Sequence, residues 1–264
     1  MGQRKKKTNK NRTVRRVAAI LKSFSRQSPD VGITELANRL GMAKSVVHGI
    51  VTTLVEEGLI AKIDKESRYI PGGEIFRIAH VMTDQLKLQR FALPVMEELF
   101  RLTGEAVVLV GWVGKDVRCL EKIEGDAAVR LAVNVGDRFP LHAGSGGKLM
   151  LAFLPEDERD EIVKTISFTP FTRHTITDPD TLREQLADIR EKGYVVCARE
   201  RSEDVASIGA PVRDSSGRVI GGIIIGGVIT HFTPENIERF IPMVVGAAKK
   251  ISAKLGFVDN DNKE

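Results

Sequence analysis

Between Thr13 and Ile70 the apolar residues change their spacing abruptly, and a glycine or proline stands near each change. Val14, Val17, Ala18, Leu21 and Phe24 recur at helical spacing after Thr13, which suits a helix cap, and Ser28-Pro29-Asp30 ends the pattern. Thr34 to Leu40 reads as a short second helix with Thr34 as its cap and Gly41 as its stop. A third helix is expected from about Ala43 to Glu57, with Val47, Ile50, Val51, Leu54 and Val55 facing inward and Gly58 closing it. Leu59–Ile63 and Ser67–Ile70 then read as two short strands joined by Asp64-Lys65-Glu66, before Pro71-Gly72-Gly73 breaks the chain. Three short helices followed by a hairpin form the winged helix-turn-helix arrangement, whose third helix presents its first residues to the major groove. The plainer alternative is a three-helix bundle whose charges are only solvated.

Charge separates these alternatives. The chain carries 40 Lys plus Arg against 35 Asp plus Glu, for a net of +5. Residues 1–29 hold ten of the basic side chains and no acid, which leaves 30 against 35, a net of −5, in the remainder. A cationic front end joined to a mildly anionic body points to a polyanion-binding module attached to something else. The candidate DNA contacts are Thr34, then Lys44, Ser45, Val46, His48, Gly49 and Thr52 on the third helix, and Arg68, placed like a wing contact in the hairpin. Residues 1–12 bury almost no apolar area and are expected to be a disordered basic tail. That tail either adds sequence-independent attraction to phosphates or serves only solubility.

Other classes fall away on composition. Cys119 and Cys197 lie far apart, outside any C-x-x-C, which argues against a disulfide framework or zinc site and for a reducing cytoplasm. The apolar stretch Val17–Phe24 is cut by Lys22 and is too short for a signal peptide. The run Ile220–Ile229 spans ten residues and contains four glycines, about half of what a membrane helix needs. The five histidines show no metal-ligand spacing, and no cofactor is expected.

Beyond Gly73, an amphipathic helix over Ile75, Ile78, Ala79, Met82 and Leu86 reads as a linker, and another helix is expected to begin near Pro94 and stop at Gly104. The second body mixes β-rich runs at Ala106–Trp112, Val117–Ile123, Val129–Asn134, Tyr194–Cys197, Ser207–Val212 and Val219–Ile225 with helical patterns at Lys148–Phe153, Glu156–Val163 and Thr181–Lys192. The segment from His142 to Lys148 precedes a helix, so its successive N–H groups suit an anion cradle; on the residues alone a glycine-rich turn without a ligand is the favoured reading. It is not a P-loop, since Leu149 stands where Ser or Thr would bind magnesium, and Ala143 rules out a nucleophile elbow.

The segments "ITELANRLGMAKSVVHGIVTTLVEEGLI", "YIPGGEIFRIAH", "TGEAVVLVGW", "LHAGSGGKLMLAFLP", "LADIREKGYVV" and "IGAPVRDSSGRVIGGIIIGG" stand in the order found in the IclR family of bacterial transcriptional regulators, which the chain resembles from Arg15 to Gly256. The resemblance implies an α+β protein of two domains. These are a winged helix-turn-helix at 13–73, a linker helix at 74–90 and a GAF- or profilin-like effector-binding domain with a mainly antiparallel sheet at 91–258, followed by a tail at 259–264. It also implies double-stranded operator DNA as a partner, a small effector, often a carboxylate, and a homodimer or dimer of dimers. Transferred position by position, the effector pocket would be lined by Leu131, Ser145, Gly146, Cys197, Glu200, Val205, Ser207, Ile224 and Gly226.

Several positions depart from the family pattern. Val46 and Gly49 stand where the family usually has Thr and Arg, so the operator is not to be borrowed from relatives. Ile224 and Gly226 replace residues that are often Ser, which suggests a less polar inner wall and an effector with an apolar portion. Glu200 is either a hydrogen-bond acceptor for the ligand or a structural ion-pair partner. Two other readings compete with a regulator. One is a hydrolase with Cys197 or Ser145 as nucleophile; the other is a sensor that acts through protein partners, its winged helix being only a docking surface.

Overall fold

The computed structural model describes residues 11–25, 28–63, 67–80, 83–125 and 131–258, the side chains of 80 and 83–86 excepted. Residues 1–10 of the tail expected at 1–12, the tail at 259–264, the hairpin loop Asp64-Lys65-Glu66 and the linker residue Met82 lie outside the described residues, while Asn11 and Arg12 cap and open the first helix and are no tail. The chain divides into two compact units, Met1–Thr83 and Asp84–Glu264.

The first unit is built from α1 (Arg12–Leu21), β1 (Val31–Gly32), α2 (Ile33–Leu40), α3 (Lys44–Glu56), β2 (Ile60–Lys62), β3 (Arg68–Pro71) and α4 (Gly73–His80). Its core joins Val47, Val51 and Leu54, which the helical spacing places inward, with Leu36 of α2 and Ile60 of β2; in α1 the buried residue is Ile20, while Val14 of the expected face is exposed. Two caps differ from expectation. Asn11, not Thr13, caps α1, its Oδ1 accepting the N–H groups of Thr13 and Val14 at 3.0 and 3.4 Å. Helix α2 begins at Ile33, so Thr34 is an exposed helical residue, and the Glu35 carboxylate reaches back to the Gly32 N–H at 3.5 Å. Gly41 ends α2 in the left-handed conformation, with φ of 60°. The wing is a three-stranded antiparallel sheet in the order β1-β3-β2, with Val31 opposite Tyr69 and Ala61 opposite Ile70. Strand β1 has only two residues, too few for any period to betray it.

The second unit contains α5 (Thr83–Thr103), β4 (Ala106–Val113), β5 (Asp116–Ile123), β6 (Arg138–Phe139), α6 (Ser145–Ala152), α7 (Glu156–Thr165), α8 (Pro179–Lys192), β7 (Val195–Ala198), β8 (Val205–Arg213), β9 (Val219–Val228) and α9 (Pro234–Lys254). Its sheet is antiparallel throughout, in the order β6-β5-β4-β9-β8-β7. Alternation along the strands sends Val107, Leu109, Ile223 and Ile225 to a core shared with α5 and α9. Val108, Val110 and Ile224 point the other way, toward Met150 of α6. Both faces are therefore covered, which is why β9 reads as a continuous apolar run. Its glycines let helices close in. A Cβ on Gly221 would lie 2.8 Å from Leu88 of α5, and one on Gly222 would lie 2.5 Å from Leu149 of α6.

Four expectations are corrected in this unit. Pro94 lies inside α5, not at a helix start. The buried face of Leu88, Ala92, Val95, Met96 and Leu99 runs unbroken past it, so packing carries the helix through the lost hydrogen bond. Residues 131–134 form no strand; the edge strand β6 comes later and pairs Phe139 with Val117. Helix α6 starts at Ser145, because its small first residues form a turn that apolar spacing does not register. Helix α9 is an addition to the expected elements, since Pro242 and Gly246 interrupt a pattern that Phe240, Val244, Ala247, Ala248 and Ile251 otherwise carry. No helix among the described residues is long and apolar enough to cross a membrane.

Candidate functional site

Two sites follow from this architecture, one in each unit. In the first, α3 buries Val47, Val51 and Leu54 and turns Lys44, Ser45, His48, Gly49 and Thr52 outward, with Val46 half-buried at the edge. Ala43 precedes α3 in extended conformation and gives no side-chain cap, and the first turn holds no acid. The N-terminus of α3 thus presents uncapped N–H groups beside an exposed ammonium and hydroxyl, an arrangement suited to phosphate. Thr52 turns its hydroxyl back to the His48 carbonyl at 3.0 Å.

Arg68 is placed differently from expectation. Its Nη2 donates to Asp30 Oδ1 at 2.7 Å and to the Asp30 carbonyl at 3.0 Å, and lies 3.4 Å from Glu35 Oε2. It ties the wing to the start of α2, and Arg39 joins the same cluster through Glu35 at 2.7 Å. The hydrogen bond from Arg68 holds the Asp30 carboxyl below its usual range. A depressed carboxylate pKa stabilises the fold at neutral pH, and that contribution fades as pH falls through the lowered value.

In the second unit the expected pocket residues converge where α6 meets β7, β8 and β9. Ser145 Oγ donates to Ser207 Oγ at 2.9 Å. Ser207 lies opposite Cys197 on β7 and Gly226 on β9. A Cβ on Gly226 would lie 3.0 Å from the Leu131 methyl, and one on Gly146 would lie 2.8 Å from the Phe139 ring. Ile224 packs in the same layer as Leu131, while half-buried Val205 sits at the start of β8.

Glu200 resolves as an ion-pair partner. Its Oε2 accepts the Gly144 N–H at 2.8 Å, and its Oε1 lies 2.5 Å from Lys148 Nζ, which also reaches Gln185 at 2.8 Å. The Lys148 side chain is 1% exposed and that of Glu200 9%. One N–H of the glycine-rich loop, that of Gly144, is thus taken by the chain's own carboxylate. Burial opposes the Lys148 charge, but the Glu200 carboxylate beside it outweighs that and keeps its pKa above the usual lysine value. Arg199, just before Glu200, takes a left-handed φ of 64°. Thr172 and Thr175 brace this bend by donating to the carbonyls of Arg199 and Glu200 at 2.6 and 2.7 Å.

His142 is structural, its Nε2 lying 2.9 Å from the Thr169 carbonyl and its ring stacked 5.9 Å from Phe171. One residue that the sequence did not single out lies at the rim. The Arg201 guanidinium lies over the Phe139 ring, 5.5 Å from its centroid, and a Cβ on Gly144 would lie 3.0 Å from the Arg201 Cδ. Burial pushes the Cys197 thiol up to about 12, and the Ser145 hydroxyl is engaged with Ser207, so neither is an activated nucleophile.

Glu200→Gln is expected to strand the Lys148 charge, at a cost of about 3–5 kcal/mol. Thermal denaturation should show this as a fall of roughly 10 °C, and Lys148→Met in the same chain should recover part of it. An unshifted melting curve for the single variant would show that the pair does not brace the fold.

These features match known proteins over nearly the whole chain. The model for the IclR helix-turn-helix domain matches residues 13–64, and that for the bacterial transcriptional regulator IclR C-terminal domain matches residues 80–253. The chain is similar to the HTH-type transcriptional regulator KipR of Bacillus subtilis, 35% identical, over 94% of this chain and 99% of that one. Among solved structures it is similar to the Thermotoga maritima IclR, with 29% identity and a TM-score of 0.75 over 93% of this chain and 99% of that one. The fold is shared with an IclR homologue of Microbacterium hydrocarbonoxydans crystallised with 4-hydroxybenzoate, at 24% identity and a TM-score of 0.73, over 92% and 98% of the two chains. The curated relatives are regulators and not enzymes, in keeping with the inert Cys197 and Ser145. With both parts matched in order and a described reading helix in the first, the chain belongs to the IclR family of bacterial transcriptional regulators.

Proposed function

We propose that this regulator works in the cytoplasm as a homodimeric repressor that releases its operator when a small carboxylate binds the second unit. The observation that carries the DNA half is α3 itself, with its uncapped, acid-free first turn and the exposed row of Lys44, Ser45, His48, Gly49 and Thr52. Lys44 and Ser45 take phosphates, while His48, Gly49 and Thr52 face base edges. Thr34 and Val46 flank that row. Arg68 acts as a brace that sets the wing, because Asp30 and Glu35 occupy its guanidinium. In gel shifts with DNA upstream of its own and neighbouring genes, the protein is expected to show salt-sensitive, sequence-selective binding. Lys44→Gln should weaken it and flatten the salt dependence, whereas Arg68→Gln should act mainly on thermal stability. Absence of selective binding to any such fragment would sink the DNA half.

For the effector, Ser145 and Ser207 supply hydroxyls, Leu131, Ile224 and Gly226 supply an apolar wall, and Arg201 at the rim supplies the cation for a carboxylate. Glu200 positions the loop without touching the ligand. A hydroxylated aromatic acid or a short-chain organic acid fits this balance, and 4-hydroxybenzoate bound to the Microbacterium homologue has that chemistry. A thermal-shift screen of organic, aromatic and sugar acids is expected to find a stabiliser, since ligand at 100 times its Kd adds about 2.7 kcal/mol to folded-state stability. Arg201→Gln should abolish the shift for acids while the fold persists. A ligand that binds Arg201→Gln unchanged would remove the carboxylate from the proposal.

Dimerisation is assigned to α4, which exposes Phe76 and Ile78 at 74% and 52%, apolar surface that a soluble helix ordinarily covers. Ile78→Asp is expected to shift the mass in solution toward the monomer, read by light scattering. An unchanged mass would place the interface elsewhere.

A further inference from the structure

One face of α1 meets the turn between α2 and α3. There Arg12, Arg15 and Arg16, with Leu40, Gly41 and Met42 opposite, line an open groove of about 310 Å³. Nothing within α1 balances these charges. Its first turn holds no acid, and among the described residues none of the three guanidiniums joins an ion pair. Arg12 and Arg15 also stand at the positive end of the helix dipole, where a cation destabilises and an anion is favoured. Three unpaired guanidiniums placed against the local field, around a concave surface, form a site that an external polyanion would relieve.

The groove's position says which polyanion. Its far wall, Gly41 and Met42, is the turn that leads within two residues to Lys44 and Ser45 at the uncapped start of α3. The turn's own N–H groups are already used, Gly41 bonding to Asn38 and Met42 to Ala37, so it contributes shape while the arginines contribute charge. We infer that this groove is a second DNA contact, in which Arg12, Arg15 and Arg16 hold phosphodiesters of the strand flanking the major groove that α3 enters. It reads no bases. Its effect is to fix the register of α3 and to add sequence-independent, salt-sensitive affinity. The inference rests on the reading of α3 as the major-groove helix.

The test uses the full chain and two labelled duplexes of equal length, the upstream fragment retained in the gel shift and a scrambled version, with anisotropy measured across salt concentrations. Arg12→Gln/Arg15→Gln/Arg16→Gln is compared with wild type and with Lys44→Gln. The triple variant is expected to bind both duplexes more weakly by a similar factor, about tenfold or more at moderate salt. The slope of log affinity against log salt should fall by about 0.9 for each arginine that held a phosphate. Its melting temperature should equal or exceed that of wild type, because charges opposed to the helix dipole are gone. Should the triple variant melt lower, Arg15→Gln alone carries the test, with an expected slope change of about 0.9. An unchanged slope and affinity, with Lys44→Gln impaired, would overturn the groove and leave the α3 reading intact. Loss of binding to the upstream fragment alone would also overturn it, since phosphate contacts carry no sequence. Failure of the wild type to bind either duplex would overturn the α3 reading itself.

Discussion

A lysine ammonium with 1% of its side chain exposed has to find its counter-charge inside the protein, and in the second unit much of the site's geometry follows from that need. Lys148 lies on α6 between Leu149 and the glycines that start the helix, so its stem is drawn into the layer between helix and sheet. Among the described residues Glu200 supplies the carboxylate there, and it follows a sharp bend of the chain after β7 at Arg199. Two threonines hold the bend. The second oxygen of Glu200 then takes the Gly144 N–H, which fixes the entry of α6 and brings Ser145 opposite Ser207. A Cβ on Gly147 would lie 1.8 Å from the Pro140 carbonyl, so the incoming loop can cross that turn only over a glycine. The pair is worth more as a clamp on two loops than as a source of stability.

The first unit uses charge in the opposite way. Two of its acids, Asp30 and Glu35, are occupied at the foot of the wing by Arg68 and Arg39. That leaves the surface formed by α1, the α2–α3 turn and the start of α3 without a described acidic partner. Internal pairing at one edge and unpaired cations at another give a field with a direction, which a net charge of +5 for the whole chain conceals.

Much of this was legible because it depends on periods and punctuation. Val47, Val51 and Leu54 are spaced to lie on one helical face whatever packs against them, and Gly41 and Gly58 mark ends that other residues would find strained. The pocket residues came from family resemblance, and most do gather, because β7, β8 and β9 pair in the register that puts Cys197, Ser207 and Gly226 in one row. What escaped had either too little length or a misleading residue. Strand β1 is two residues long, α9 carries Pro242 and Gly246, and α5 carries an exposed Pro94 beside a face that stays buried past it. The ion pair of Arg68 was not legible either, because an arginine in a hairpin looks the same whether its partner is a phosphate or an aspartate 38 residues earlier.

The sequence by itself determined the two-part organisation, the reading helix and the segregated charge, all of which rest on local spacing and composition. Tertiary structure alone decided the partners of the charged groups: Arg68 with Asp30, Lys148 with Glu200, and the three arginines of α1 with none among the described residues. The physical reason is range. Periodicity acts over a few residues along the chain, whereas a counter-charge is chosen by distance in space, between groups that the folded backbone brings together from 38 or 52 positions apart.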